Sequence, residues 1–422
     1  MQKTLLIALV AVMSVLALAV AWPRAEMIAA SSPAAYAGTP ENIARGAYLA
    51  KLGNCMACHT ARGGAEYAGG RMLDTPFGRI HAPNITSDPQ HGIGAWTADD
   101  FWNALHNGIA RDGRLLYPAF PYPNYTNVTR DDADALFAYL KSIAPQATPR
   151  QAHALRFPYN LQASLAAWRL FYFTPSVFEA TSGQDATFNR GAYLVEGLGH
   201  CAACHSSRDA FGASKPGLSG GLIPMQGWYA PSLTSDAEAG VARWEIGHIT
   251  QLLQTGIAPQ GAVSGPMAEV VARSLQYLSV DDVRAMAVYL KSLPGQAAPP
   301  LQAQAGPQFN QLMAQGGALY EANCIACHGR DGKGLPPHYP PLAGNRALTM
   351  ASTVNPIRMV LSGGFAPGTA GNARPYGMPP FSHVLDDIDV AALVTYLRNS
   401  WGNKAPVVTA AEVNRYRSVP LE

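Results

Sequence analysis

Three stretches of this chain, residues 131–143, 281–293 and 386–401, carry apolar positions at helical spacing behind an acidic opening. Negative charge at that end complements the helix dipole, so the pattern predicts three amphipathic helices. Each finishes on Tyr-Leu and a basic residue: Tyr139-Leu140-Lys141, Tyr289-Leu290-Lys291 and Tyr396-Leu397-Arg398. Pro145 and Pro294 follow the first two, where a helix stop is expected. A fourth apolar stretch is different. Residues 4–22 carry no formal charge, are mostly Leu, Ala and Val, and stand behind Lys3. The run is apolar all round and long enough to span a bilayer. Two small-residue patterns follow it, ending at Ala21 and Ala37. The segment therefore reads as a removed export signal or as a retained hydrophobic anchor helix, and both readings place the rest of the chain on the periplasmic side of a bacterial inner membrane.

The remainder repeats itself. Arg45-Gly46-Ala47-Tyr48-Leu49 is echoed by Arg190-Gly191-Ala192-Tyr193-Leu194, and more distantly by Gly316-Gly317-Ala318-Leu319-Tyr320. Behind each comes a cysteine pair of identical spacing: Cys55-Met56-Ala57-Cys58-His59, Cys201-Ala202-Ala203-Cys204-His205 and Cys324-Ile325-Ala326-Cys327-His328. Residues 82–88, Ala-Pro-Asn-Ile-Thr-Ser-Asp, answer residues 230–236, Ala-Pro-Ser-Leu-Thr-Ser-Asp. Trp96 and Trp244 follow close behind Gly94 and Gly240. The expectation is a mainly α protein of three tandem units, each a helix, a cysteine motif, a long loop and a closing helix. The units fall at residues 38–150, 184–298 and 312–403, after an N-terminal segment 1–37, with linkers at 151–183 and 299–311 and a tail at 404–422. The first linker is aromatic over residues 165–174, with Trp168, Phe171, Tyr172 and Phe173. It reads as a helix packed between two domains, or more sharply as a docking surface for a membrane or a partner subunit.

Composition changes the picture little. Lys and Arg number 30 against 28 Asp and Glu, so nothing points to nucleic acid or to a strongly charged substrate. The 40 Gly and 33 Pro suit a chain with long loops. All six cysteines are consumed by the three motifs, which leaves none for a separate disulfide framework.

Cys-x-x-Cys-His is the attachment motif of c-type haem. Two thiols at that spacing reach the two vinyl groups of one porphyrin, and the next residue supplies the proximal nitrogen to the iron. A zinc site needs four ligands, which three isolated Cys2His sets do not pair up to give. A thioredoxin-like site needs a βαβ context that this chain does not show. The expected cofactors are three haem c groups, held by Cys55, Cys58, Cys201, Cys204, Cys324 and Cys327, with His59, His205 and His328 on the irons. The sixth ligand of such a haem is commonly a Met. Met378, in Tyr376-Gly377-Met378-Pro379-Pro380, and Met267, behind Gly265-Pro266, stand late in units three and two where that ligand is expected. Unit one has Phe120 at this place, in Tyr117-Pro118-Ala119-Phe120-Pro121-Tyr122. Its other residues of suitable type, His81, His91, His106 and Met72, read as surface or packing residues, so the sixth ligand of haem one stays open.

These motifs, with Asn84-Ile85-Thr86, Ala230-Pro231-Ser232-Leu233 and Trp401-Gly402-Asn403-Lys404-Ala405-Pro406, resemble the three-haem cytochrome c subunits of membrane-bound periplasmic dehydrogenases, typical of acetic acid bacteria. The resemblance covers nearly everything after the N-terminal segment. It implies an electron-transfer subunit, not itself an enzyme, that passes electrons from a separate catalytic dehydrogenase subunit through its haems to membrane ubiquinone. The catalytic partner in such complexes is a quinoprotein alcohol dehydrogenase, a flavoprotein sugar or gluconate dehydrogenase, or a molybdenum aldehyde dehydrogenase with an iron-sulfur subunit. Subunits paired with alcohol dehydrogenase usually carry Met at the place of Phe120, and the Phe version looks more like those that accompany molybdenum enzymes. A distant alternative is a multihaem peroxidase using a five-coordinate haem one, but no distal His or Arg arrangement is identifiable near Phe120. No Gly-rich nucleotide loop is present.

Overall fold

The computed structural model describes residues 38–296, 305–335 and 338–419. The N-terminal apolar segment and its two cleavage patterns lie outside these residues. Among the described residues, no helix is long and apolar enough to cross a membrane.

The chain is mainly helical, and the same helix pair is built three times. The leading helices are Pro40–Leu52, Ala186–Glu196 and Pro307–Asn323; the closing helices are Arg130–Ser142, Val280–Ser292 and Asp387–Asn399. The closing helices match the three predicted stretches to within a residue or two. Each starts at a side-chain cap: Thr129, Ser279 and Asp386 accept from the backbone N–H three residues on.

The repeated Gly explains how the pair packs. A Cβ on Gly46 would lie 1.9 Å from the Ala135 carbonyl oxygen; on Gly191, 2.0 Å from that of Ala285; on Gly316, 2.2 Å from that of Ala392. Only a residue without a side chain lets the backbones approach this closely. One residue earlier, a polar side chain reaches the first turn of the closing helix. Arg45 pairs with Asp132 at 2.6 Å, Arg190 forks onto Asp282 with two contacts of 2.8 Å, and Gln315 donates to Asp389 at 3.0 Å. The basic residue that ends Tyr-Leu-basic ties down loop carbonyls. Lys141 donates to Gly94, Lys291 to Ala242 and Trp244, and Arg398, fully buried, to Met350, Ser352 and Pro406.

The long loops contain small sheets that helical periodicity did not show. In the first repeat Met72–Thr75 pairs antiparallel with Gly78–His81, which pairs in turn with Ala154–Leu155. In the second, Gly221–Ile223 pairs with Trp228–Ala230 and Ile257–Ala258 with Gly261–Ala262. In the third, Gly364–Phe365 pairs with Gly377–Met378. These strands are two to four residues long, below the length at which alternation becomes a signal.

Two segments set apart in the sequence are built into the fold. The aromatic stretch forms a helix, Gln162–Tyr172, whose Leu165 and Ala166 join Ile109 and Leu115 in a buried cluster. Its Arg169 is buried, donates to the Asn107 carbonyl and lies over the rings of Tyr122 and Phe173. The stretch therefore packs on the first repeat, while Leu170 and Phe171 stay exposed. The tail carries a helix, Ala410–Arg417, opened by a Thr409–Glu412 capping box. Val408 and Val413 enter the core of the third repeat.

By internal contacts the chain forms two compact units. Of the described residues, one unit comprises those up to Gln184 with Ala192–Ala203 and Asp209–Ala213; the other comprises Asp185–Gly191, Cys204–Arg208 and those from Ser214 on.

Candidate haem-binding sites

Each cysteine motif folds as a single helical turn: Cys55–His59, Ala202–His205 and Ile325–His328. At 3.6 residues per turn, residues three and four apart share a face, so the second Cys and the His stand over the first Cys. In the first motif the turn is approached through Asn54 in the left-handed region, φ 46°, which an Asn tolerates. The corresponding residue of the second motif, His200, also has a positive φ, 36°. The third motif needs no such turn, because its leading helix runs on to Asn323.

All three motif histidines are fixed in one way. Nδ1 of His59 lies 2.8 Å from the Pro83 carbonyl oxygen, Nδ1 of His205 lies 2.7 Å from that of Pro231, and Nδ1 of His328 lies 3.2 Å from that of Pro340. A backbone carbonyl can only accept, so Nδ1 carries the proton and Nε2 is left with its lone pair. Burial lowers the pKa of each ring below its ordinary value, partly offset by the carbonyl contact, and so favours the neutral form. A neutral imidazole with Nδ1 held by a carbonyl is the usual state of a metal-ligating His.

Sequence reading singled out Ala-Pro-Asn and Ala-Pro-Ser as repeats without finding this role. The proline stands 24, 26 and 12 residues beyond the histidine, and tertiary structure alone closes the gap. In the first two repeats the hairpin strands end at His81 and Ala230, directly ahead of Pro83 and Pro231. In the third, a single bridge between Leu335 and Tyr339 precedes Pro340. The polar residues behind the proline pin the loop to the chain beyond the closing helix. Asn84 donates to the Gln146 carbonyl and Ser87 to that of Ile143, while the Gln296 N–H donates to Thr234.

No disulfide joins any of the six cysteines. Burial pushes Cys55 up to about 12 and Cys324 up to about 11, with the paired cysteine adding to both. That opposes the thiolate form needed by a zinc ligand or a redox dithiol. Among the described residues, no group of three or more His, Cys, Asp and Glu is placed to hold a metal ion. Thiols on one turn with an oriented neutral His fit thioether attachment of haem.

The sixth-ligand candidates sit in unlike settings. Met378 is in a strand, paired to Gly364, and packs on the core that also contacts Cys324 and Ile325. Gly363 beside it must be Gly, with φ 63° and a Cβ position 2.2 Å from the Met378 carbonyl oxygen. Met267 is half-buried in the first turn of a helix, Pro266–Arg273. Gly265 ahead of it lies on the Trp228 ring, at 2.9 Å from its Cβ position. In the first repeat Phe120 is half-buried, its ring edge-on to Tyr125 at 5.3 Å. The other residues weighed there sit as follows. His106 stacks on Trp102 at 4.4 Å, the His91 N–H is held by Asp88, His81 is paired in a strand, and Met72 is exposed on the neighbouring strand.

Comparison with known proteins agrees with this chemistry. The cytochrome c family model matches residues 43–144 and 313–401. The chain is 38% identical over 413 residues to the cytochrome c subunit of the quinone alcohol dehydrogenase of Gluconobacter oxydans (strain 621H), covering 93% of this chain and 86% of that protein. This chain belongs to the cytochrome c subunits of dehydrogenases. It is also 38% identical to the gluconate 2-dehydrogenase cytochrome c subunit of Pantoea cypripedii, over 89% of each chain. The fructose dehydrogenase cytochrome subunit of Gluconobacter japonicus is 34% identical, over 90% of this chain and 84% of that one. The protein is thus an electron-transfer cytochrome subunit of a dehydrogenase complex rather than the catalytic subunit, and its cofactor is haem c.

Proposed function

We propose that this cytochrome carries three haem c groups, one on each motif, and relays electrons from a catalytic dehydrogenase subunit to ubiquinone at the periplasmic face of the inner membrane. The observation that carries this reading is the threefold repetition of one arrangement: a helical turn with two thiols, and a His whose Nδ1 is held by a proline carbonyl. Cys55 and Cys58, Cys201 and Cys204, and Cys324 and Cys327 hold the porphyrins; His59, His205 and His328 ligate the irons through Nε2. Met267 and Met378 would supply the sixth ligands in the second and third repeats, while the first repeat has Phe120 at that place. Bound haem supplies a one-electron ferric–ferrous couple. Pro83, Pro231 and Pro340 fix the tautomer and aim Nε2. The closing helices, locked to the leading helices at Gly46, Gly191 and Gly316, hold each motif against its loop.

The catalytic partner is drawn two ways. Phe120 favours a molybdenum aldehyde dehydrogenase with an iron-sulfur subunit. The named relatives favour a partner that oxidises an alcohol, a sugar or a sugar acid. The deciding experiment purifies the complex from native membranes with this chain as bait and measures its cofactors. Molybdenum with labile sulfide supports the first partner; a quinone cofactor or flavin without molybdenum supports the second. A haem content below three per chain overturns the relay as stated.

A further inference from the structure

Three rings, all within the first compact unit, pack edge to face between the segments that lead to the first two motifs. Phe120, at the place where a sixth ligand is expected, is edge-on to Tyr125 at 5.3 Å with an interplanar angle of 68°. Tyr125 is in turn edge-on to His200 at 5.6 Å and 80°. Tyr125 is 6% exposed and lies between the other two rings. His200 is covalently next to Cys201, the first cysteine of the second motif. The Leu198 side chain, two residues ahead of His200, reaches the turn before the first motif. A Cβ on Gly53 would lie 3.3 Å from the Cys55 Sγ and 3.5 Å from the Leu198 Cδ2.

His200 is an expensive residue at its position. It occupies the left-handed region at φ 36°, where the first repeat uses Asn54. A non-Gly residue held there is strained unless its surroundings fix it. Here Nδ1 contacts the Leu198 carbonyl oxygen at 2.7 Å, which locks the ring against Tyr125.

We infer that Phe120, Tyr125 and His200 form an aromatic bridge that couples the haem of the first motif to that of the second. The step is a one-electron exchange. One iron passes from ferrous to ferric as the other passes from ferric to ferrous; no bond forms or breaks, no proton moves and no co-reactant is required. Tyr125 and His200 are positioning residues: packed rings fill the space between the two attachment points and replace a slower path through loosely packed atoms or water. The Phe at position 120 thereby gives up a thioether ligand and extends the ring series. This inference rests on the haem reading of the motifs.

The test uses the full haem-loaded chain. An electron is injected into the oxidised protein by a laser flash, and its redistribution among the haems is followed by absorbance; midpoint potentials and haem content are measured on the same samples. Tyr125→Leu and His200→Asn should each slow the redistribution phase by an order of magnitude, with haem content and potentials unchanged. Tyr125→Phe keeps the ring and should keep the rate. His200→Asn removes the imidazole while suiting the backbone, so it carries the test if Tyr125→Leu fails to mature. Redistribution at the wild-type rate in His200→Asn, with all haems present, overturns the bridge and leaves the relay standing. Loss of the rate in Tyr125→Phe as well would show that the hydroxyl matters rather than the ring, and would also overturn it. Wild-type protein with fewer than three haems sinks the relay itself.

Discussion

The segment around Phe120 in the first repeat and the segment around Met378 in the third do the same positional job with opposite chemistry. Met378 stands on a paired strand against the core that includes Tyr320 and touches Cys324. Its backbone is pinned by Gly364 and by the close approach of Gly363. Phe120 stands in a Pro-flanked turn and faces another ring. At corresponding places one repeat carries a thioether and the other an aromatic ring. Under the proposed ligation, the same scaffold of leading helix, motif and closing helix takes either, and axial ligation is a main lever on haem potential.

The largest expected effects test the scaffold common to both. Cys324→Ala combined with Cys327→Ala should remove one covalently bound haem per chain and leave the others, read by pyridine haemochrome content; an unchanged content would count against the whole assignment. Next comes an exchange of the two segments' chemistry. Met378→Leu should lower one midpoint potential and open that haem to carbon monoxide, whereas Phe120→Met should raise another and close it. Each shift should be a fraction of the ~0.8 V range that axial ligation spans. Potentiometric titration with carbon monoxide difference spectra checks both, and shifts of the same sign would contradict the comparison.

Packing follows. Gly46→Ala and Gly316→Ala force a methyl into a backbone carbonyl at 1.9 Å and 2.2 Å. Each should destabilise its repeat by about 1–3 kcal/mol. Gly247 is the control: it lies in the helix Ile246–Thr255 with nothing within 4 Å of its Cβ position, so Gly247→Ala should be neutral or stabilising by about 0.5–1 kcal/mol. Denaturant midpoints separate the two classes.

The smallest effect concerns the C-terminal helix that closes the third repeat and has no counterpart in the first. Asp387 pairs with Arg417 at 2.5 Å and accepts from Asn414. These contacts hold its carboxyl below the ordinary value of 3.8. A depressed folded pKa means that the stabilisation is fully present above the unfolded value and is lost as pH falls through the folded one. Hydrogen exchange in Ala410–Arg417 should therefore accelerate only in acid below that value, and Asp387→Asn should give faster exchange at neutral pH.

The sequence by itself determined the features that depend on short range. The Cys-x-x-Cys-His turn and the closing helices are set within a few residues, by spacing and by the acidic first turn, whereas the role of the repeated Gly shows only where it meets a carbonyl of the distant closing helix. The cofactor followed from the same local pattern. What only the tertiary structure decided lies at longer range. The proline carbonyls that orient the histidines arrive 24, 26 and 12 residues later, carried by strands too short to show as alternation. The ring series from Phe120 to His200 joins residues 80 positions apart, and no periodicity records that contact. The aromatic linker reads in the sequence as a packed helix or a docking surface and the tail carries no reading; folding shows that Leu165 and Ala166 of the one and Val408 and Val413 of the other are buried. Spacing fixes what one helical turn can present, while a partner across a loop is fixed only once the loop has closed.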